Sequence, residues 1–198
     1  MTYPALSPTT LTGRRVCLVP MAEEHVDALW EVARDPELWL ESGAVWRGRE
    51  DMQRYVGTAL EWAARGEALP FVTTLTADGS VVGSTRFAAY VPEHRRVEIG
   101  WTFLARRCQR AGINPEAKLL MLGHAFDTLG LRRVELKTDA LNSTSRRAIL
   151  RLGAREEGTL RAHMQLATGR VRDSVYYSIL AEEWPDVRAG LEARLGTR

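Results

Sequence analysis

The chain has 198 residues, 45% of them apolar and 26% charged, with a formal net charge of +2. That length and balance fit one soluble domain whose core needs no disulfide or metal staple, and the mild, mostly arginine charge argues against nucleic acid as a partner. Two distant cysteines, Cys17 and Cys108, without metal-ligand spacing, no apolar run long enough for a membrane span and no signal-peptide pattern together predict a reduced, cytoplasmic protein.

Residues 1–12 are rich in Pro, Ser and Thr and read as an N-terminal arm, loosely attached, ahead of a single domain over residues 13–198. Arg14 to Pro20 is predicted as a first strand. Ala22 to Arg34 carries Val26, Leu29, Trp30 and Ala33 at helical spacing, and Asp35-Pro36 restarts a short helix with Asp as cap. A third helix spans Glu50 to Arg65, with Met52, Tyr55, Val56, Ala59 and Trp62 on its apolar side. Phe71 to Thr76 and Val81 to Val91 flank Ala77-Asp78-Gly79-Ser80, a hairpin signal, and Arg95 to Leu104 follows as the fourth strand.

A helix is predicted from Pro115 to about Leu129, capped by Asn114 and ended by Gly130. Arg133 to Asp139 forms the fifth strand. Asn142 caps a helix to Leu152 that Gly153 stops. The strands Ala154 to Leu166 and Arg172 to Leu180 turn near Thr168-Gly169, and a helix over Glu182 to Leu195 closes the chain. The order predicts an α/β (α+β) fold: a mixed, mostly antiparallel sheet flanked by helices, not a doubly wound one.

The stretch Cys108-Gln109-Arg110-Ala111-Gly112-Ile113-Asn114-Pro115-Glu116-Ala117-Lys118 lies between the fourth strand and the next helix. A glycine-bearing loop that opens a helix presents unpaired N–H groups and the positive end of the helix dipole to one point, which suits a phosphate or pyrophosphate. Arg106, Arg107 and Arg110 add positive charge; a plain, well-capped helix start is the other reading of the same residues. On the fourth strand, alternation puts Glu98, Gly100 and Thr102 on one face and Val97, Ile99, Trp101 and Phe103 on the other.

The chain resembles the GNAT superfamily of acyl-CoA-dependent N-acetyltransferases, and within it the RimJ/RimL-type branch that acetylates ribosomal-protein N-termini. The resemblance covers roughly residues 13 to 185. Three pieces carry it in order: Glu98-Ile99-Gly100-Trp101 followed by Gln109-x-x-Gly112-x-Asn114 and Glu116-Ala117-Lys118; Asp139-Ala140-Leu141-Asn142-Ser143-Thr144-Ser145 leading to Arg151-Leu152-Gly153-Ala154; and Gly158-x-x-Arg161 with Gly169, Asp173, Tyr177 and Ile179. The resemblance implies a sheet splayed between its fourth and fifth strands, with acetyl-CoA as acetyl donor and its pantetheine arm in the wedge. It implies cofactor contacts at Trp101, Thr102, Phe103, Gln109, Arg110, Ala111, Gly112, Ile113 and Asn114, with Asn142 and Ser145 beside the pantetheine or the sulfur. The branch usually has Thr where this chain has Pro115, so one N–H donor is missing from the loop.

Two catalytic candidates follow. Glu98 reads either as the general base for the substrate ammonium or as a structural carboxylate paired to Arg86 or Arg96. A backbone N–H near Trp101 to Phe103 is the oxyanion donor. Family members place a tyrosine acid where this chain has Ile149, so Ser145 takes that role here or is an ordinary first-turn residue. Asn142 serves as helix cap, as cofactor contact, or as both. Tyr176 and Tyr177 alternate, so one faces inward, and Asp173 is expected to pair with Arg161.

An α-amine titrates near 7.7–8.0 and a lysine near 10.4, a difference of about 3.5 kcal/mol in deprotonation at neutral pH. A site with one base and no tyrosine acid therefore fits a protein or peptide N-terminal α-amine. A small-molecule amine (polyamine, aminoglycoside or amino acid) and a non-catalytic acyl-CoA-binding module are the alternatives. A homodimer is expected from family habit, with no membrane, nucleic-acid or metal partner.

Overall fold

The computed structural model describes residues 4–196. One eight-stranded sheet organises them: β1 (Leu11–Thr12), β2 (Val16–Pro20), β3 (Leu69–Leu75), β4 (Val81–Val91), β5 (Arg96–Leu104), β6 (Arg133–Asp139), β7 (Arg155–Gln165) and β8 (Val171–Leu180). Their spatial order is β1-β2-β3-β4-β5-β6-β8-β7. Every adjacent pair is antiparallel except β5 with β6. The predicted mixed sheet is therefore the observed one, and among the described residues no helix is long and apolar enough to cross a membrane.

Helices α1 (Val26–Ala33) and α2 (Arg49–Ala64) cover one face of the sheet. They bury Leu29, Met52, Val56 and Ala59 against Val72 and Phe103. The opposite face carries α3 (Ile113–Gly123), α4 (Ser143–Leu152) and α5 (Trp184–Gly196). There Val97, Ile99, Leu136 and Tyr177 meet Met121, Leu122, Leu152 and Leu191. Each strand supplies alternate residues to the two faces, so the two cores share one sheet.

Local chemistry accounts for most boundaries. Asn142 caps α4 by accepting the Ser145 amide at 2.8 Å, and Gly153 ends it at φ 101°. Asp35 accepts the Glu37 amide at 3.0 Å and starts the short 3-10 turn Pro36–Trp39. The lead-in is more firmly attached than its composition suggests. Leu6 is buried in the core, the Tyr90 hydroxyl donates to the Pro4 carbonyl, and Leu11–Thr12 pairs with β2.

Two expectations are corrected. Asn114 is not the cap of α3, because the helix begins at Ile113 with Gly112 at φ 82° ahead of it. A left-handed turn needs glycine there, and it brings the helix start two residues forward. Pro115 thereby sits third in the helix, where an N–H would be unpaired in any case. Downstream, α3 runs on into a π turn, His124–Thr128.

The second correction concerns β5. Alternation along it breaks at Trp101, which adopts φ 51° where the register with β4 slips between Arg86↔Gly100 and Ser84↔Phe103. Val97 and Ile99 face α3, but after this bulge Phe103 faces α2, and Thr102 turns to α3. Gly83 of β4 makes the close approach possible, since a Cβ there would lie 2.1 Å from the Phe103 carbonyl oxygen.

Candidate active site

The strand pair β5–β6 holds register over three residues only, Arg96–Glu98 with Arg133–Glu135. Beyond Glu98 and Glu135 no further pairs join the two strands. The facing edges of Gly100–Leu104 and Leu136–Asp139 therefore border a gap in the sheet. An open edge inside a domain offers backbone donors and acceptors to an extended ligand.

On the α3 side of this gap lies the glycine loop. Arg106–Cys108 forms a 3-10 turn, and Gln109 Nε2 donates to the Leu104 carbonyl at 3.2 Å, closing the loop onto the end of β5. Arg110 at φ 61° and Gly112 at φ 82° turn the chain so that it enters α3. The first helical bond runs from the Glu116 amide to the Gly112 carbonyl, 3.1 Å. Amides of residues 111–114 precede it, and the helix dipole adds positive potential at the same end.

Two charged groups brace this end. The Glu116 carboxylate accepts the Arg14 and Arg15 amides at 2.7 and 2.9 Å. That holds Arg15 so that its side chain passes beside Gly112, and its Nη2 donates to the Leu195 carbonyl at 3.2 Å. Arg106, expected to serve the anion, is instead paired with Glu37. Arg15 was not legible as a loop partner, because only the folded chain brings the first strand to α3.

Lys118 lies deeper on α3 and is buried. Its Nζ donates to Thr102 Oγ1 at 2.7 Å and Thr85 Oγ1 at 3.0 Å. Burial pushes its ammonium down to about 7, since a charge without a carboxylate partner is costly in a core. No carboxylate lies within ion-pair range of it among the described residues. Thr102 thus faces α3, away from Glu98.

The α4 start borders the gap from β6. Asn142 acts as a cap, and Ser145 stands half-buried in the first turn, its amide taken by Asn142. Glu41, from the segment between α1 and α2, accepts the Thr144 amide at 2.9 Å and the Thr144 hydroxyl at 2.8 Å. Those bonds hold its carboxyl below the usual range. Ile149 is core.

On the α2 side, Glu98 is almost fully buried and paired with Lys137 of β6 at 2.8 Å. Its partner is thus neither Arg86 nor Arg96; Arg96 binds Glu135 instead, at 3.1 Å. The Glu98 carboxylate leans over Gly100, where a Cβ would come within 3.0 Å of Oε1. Lys137 Nζ stands 5.9 Å from the Trp101 ring centroid and 5.7 Å from that of Tyr176. Tyr177 is the inward tyrosine of the pair, its hydroxyl accepting Arg146 Nε at 3.1 Å. Asp173 accepts the Ala162 amide at 2.7 Å rather than pairing with Arg161.

Trp101, 37% exposed, forms the wall between two cavities of about 400 and 300 Å³ on this side. The larger is lined by Trp46, Tyr55, Trp62 and Arg86 among others, and the Ala44–Trp46 segment closes one side. Glu98 and Trp101 thus come together on the α2 side. The glycine loop, Thr102, Asn142 and Ser145 lie toward the α3–α4 side. Lys137 and Glu41 were not legible in the sequence, and Arg86, expected as a partner for Glu98, lines the larger cavity instead.

The comparisons agree with this architecture. A family model described as an acetyltransferase (GNAT) domain matches residues 15–155. The N-acetyltransferase p20 of Bacillus licheniformis, itself uncharacterized, is 29% identical over 180 residues, 88% of this chain and 98% of that protein. The ribosomal-protein-serine acetyltransferase of Escherichia coli is 27% identical over 145 residues, 71% of this chain and 79% of that protein. A GCN5-related N-acetyltransferase from Brucella melitensis superimposes with a TM-score of 0.88 at 28% identity, covering 97% of this chain and 87% of that one. Mycobacterium smegmatis RimJ in complex with CoA-disulfide gives a TM-score of 0.82 at 25% identity, covering 98% and 97%. With its sheet, its glycine loop and a family model over most of its length in accord, the chain belongs to the GNAT acetyltransferase family, beside relatives of the RimJ type.

Proposed function

We propose that this enzyme moves an acetyl group from acetyl-CoA to the α-amine of a protein or peptide N-terminus. The observation that carries the reading is the gap between β5 and β6, with a glycine-turned helix start on one side and the buried Glu98 carboxylate near an aromatic cavity on the other. Acetyl-CoA supplies the activated acyl group and its thiolate as leaving group. The residues present fit it: the amides of Ala111 to Asn114 with Arg15 suit a diphosphate, and the open edges of β5 and β6 suit an amide-bearing arm.

Glu98, directly or through water, takes the proton from the incoming ammonium, and the ion pair with Lys137 holds its carboxylate aimed over Gly100. The freed amine nitrogen attacks the thioester carbon. A backbone N–H of Trp101–Phe103 on the unpaired edge of β5 meets the developing oxyanion. As the C–S bond breaks, the nitrogen gives up its second proton, which passes through the Ser145 hydroxyl or a water to the departing thiolate. A second reading, a small-molecule amine acceptor, is favoured by the size of the larger cavity, which falls in the range of small-ligand sites.

The test is release of free CoA thiol from acetyl-CoA across N-terminal peptides, polyamines, aminoglycosides and amino acids. Turnover confined to peptides supports the first reading, and turnover confined to a small amine supports the second. Binding of acetyl-CoA without thiol release for any acceptor overturns both.

A further inference from the structure

The larger cavity holds a charged group that acetyl transfer alone leaves unexplained. Arg86 sits mid-strand on β4 and is 1% exposed. Its Nε and Nη2 find no hydrogen-bond acceptor among the described residues, and no carboxylate pairs with it there. The guanidinium lies 4.5, 5.2 and 5.8 Å from the ring centroids of Tyr55, Trp101 and Trp62. Aromatic faces stabilise the cation but leave its in-plane N–H groups unused. A buried charge in that state is rare in folded proteins, because burial without a partner is costly.

A second donor in the same cavity is in the same condition. Trp46 Nε1 is buried without an acceptor. Both residues line the cavity. The nearby carboxylates are engaged elsewhere: Glu98 with Lys137, and Asp51 with Arg54 and with the Arg47 amide at 2.7 Å. Asp51 also lines the cavity, but its carboxylate is held by Arg54 and Arg47, so Arg86 Nε and Nη2 and Trp46 Nε1 meet no acceptor there among the described residues. Those donors are the complement of a carboxylate, whose two oxygens take two or more N–H bonds.

The position relative to Glu98 sharpens the ligand. Gly100 is the register partner of Arg86, and the Glu98 carboxylate leans over Gly100. Glu98 and Arg86 are therefore diagonal neighbours on one face, a spacing of about 7–8 Å between backbones. An amine at Glu98 and a carboxylate at Arg86 belong within a few bonds of each other. We propose that Arg86 and the Trp46 indole N–H form a carboxylate receptor in the acceptor cavity. The preferred acceptor is then an α-amine whose own residue carries a carboxylate, either the side chain of an N-terminal Asp or Glu or the free α-carboxylate of an amino acid. This deepens the acetyl-transfer reading above and rests on it.

The test uses the full chain and two readouts. Tryptophan fluorescence is titrated with N-acetylaspartate α-amide (side-chain carboxylate only), N-acetylasparagine (α-carboxylate only) and N-acetylasparagine amide (neither). At least one carboxylate probe should bind about ten- to a hundredfold more tightly than the uncharged amide. The probe that gains identifies the source of the carboxylate. Arg86→Gln should erase the difference, Arg86→Lys should restore part of it as a point charge, and Trp46→Phe should shrink it while keeping the ring. Equal binding of all three probes overturns the proposal, as does full discrimination by a folded Arg86→Gln. Should Arg86→Gln not fold, the wild-type series and Trp46→Phe decide.

The second readout is thiol release with Asp-Ala-amide and Asn-Ala-amide as acceptors, with free aspartate alongside. Probe discrimination without turnover of any amine refutes acetyl transfer and leaves the receptor. Turnover with no preference for the carboxylate refutes the receptor and leaves acetyl transfer.

Discussion

Replacing Pro115 is the sharpest probe of the glycine loop. Pro115 is the third residue of α3, and the first intrahelical bond is made by the next residue, from the Glu116 amide to the Gly112 carbonyl. In most helices three first-turn amides point out of the N-terminus; here the third is absent, leaving those of Ile113 and Asn114. Pro115→Ala returns one N–H, and Pro115→Thr returns an N–H and adds a hydroxyl. A hydrogen bond to a charged phosphate oxygen is worth about 1.5–3 kcal/mol, or about ten- to a hundredfold in Kd. Calorimetric titration with acetyl-CoA should show that tightening for Pro115→Ala, and at least as much for Pro115→Thr. Any loss of stability from a more flexible unfolded chain, below about 1 kcal/mol, leaves the binding enthalpy curve interpretable. If both variants keep their thermal midpoint and bind acetyl-CoA within twofold of the wild type, the diphosphate does not sit at the start of α3.

Three further predictions test other parts of the site. Glu98→Gln should lower kcat by about 10²–10⁴ and steepen its rise with pH, because the neutral amine must then come from solution; an unchanged pH profile removes Glu98 as the base. Lys118 has its ammonium depressed to about 7 in the folded state, against about 10.4 in the unfolded chain. Between those values the unfolded state binds more protons, so stability should rise with pH by up to about 1.4 kcal/mol per unit and level off below about pH 7. Urea unfolding at pH 7.5, 8.5 and 9.5 should show that slope in the wild type and a flatter one in Lys118→Met; parallel slopes contradict the burial argument. Asn142→Ala should cost about 1 kcal/mol through loss of the cap on Ser145, read as a lower unfolding midpoint. An accompanying loss of acetyl-CoA affinity would mark the cofactor contact, and an unaltered Kd would restrict Asn142 to capping.

The parts of this molecule that were legible in the sequence are those fixed by near neighbours. Helix α4 lies between its Asn142 cap and Gly153, and β6 keeps its predicted ends, because capping and alternation are local properties. The position of the glycine loop ahead of α3 was readable for the same reason. What escaped depends on contacts across the sheet. The bulge at Trp101 follows from Gly83 meeting the Phe103 carbonyl on the neighbouring strand, and it exchanges the faces of Thr102 and Phe103. Lys137 reaches Glu98 only because a helical crossover places β6 beside β5. Asn114 was misjudged as a cap because Asn-Pro is a strong local signal, while the left-handed Gly112 ahead of it already turned the chain. Arg86 looked like a partner for Glu98 on the adjacent strand, yet Lys137 holds that carboxylate and leaves the guanidinium among aromatic rings.

The gap in the sheet also bears on how the molecule comes apart. Strands β1–β5 and strands β6–β8 meet along a seam of three residue pairs, reinforced by the Glu98–Lys137 ion pair. So short a seam lets the two halves behave as partly separate cooperative units, with the amides at its open end the first to exchange with solvent. A ligand lying along both edges fastens the units together and adds its binding energy to the weakest link. Protection gained on saturation with acetyl-CoA should therefore concentrate at Gly100–Leu104 and Leu136–Asp139, rather than spread evenly over the helices.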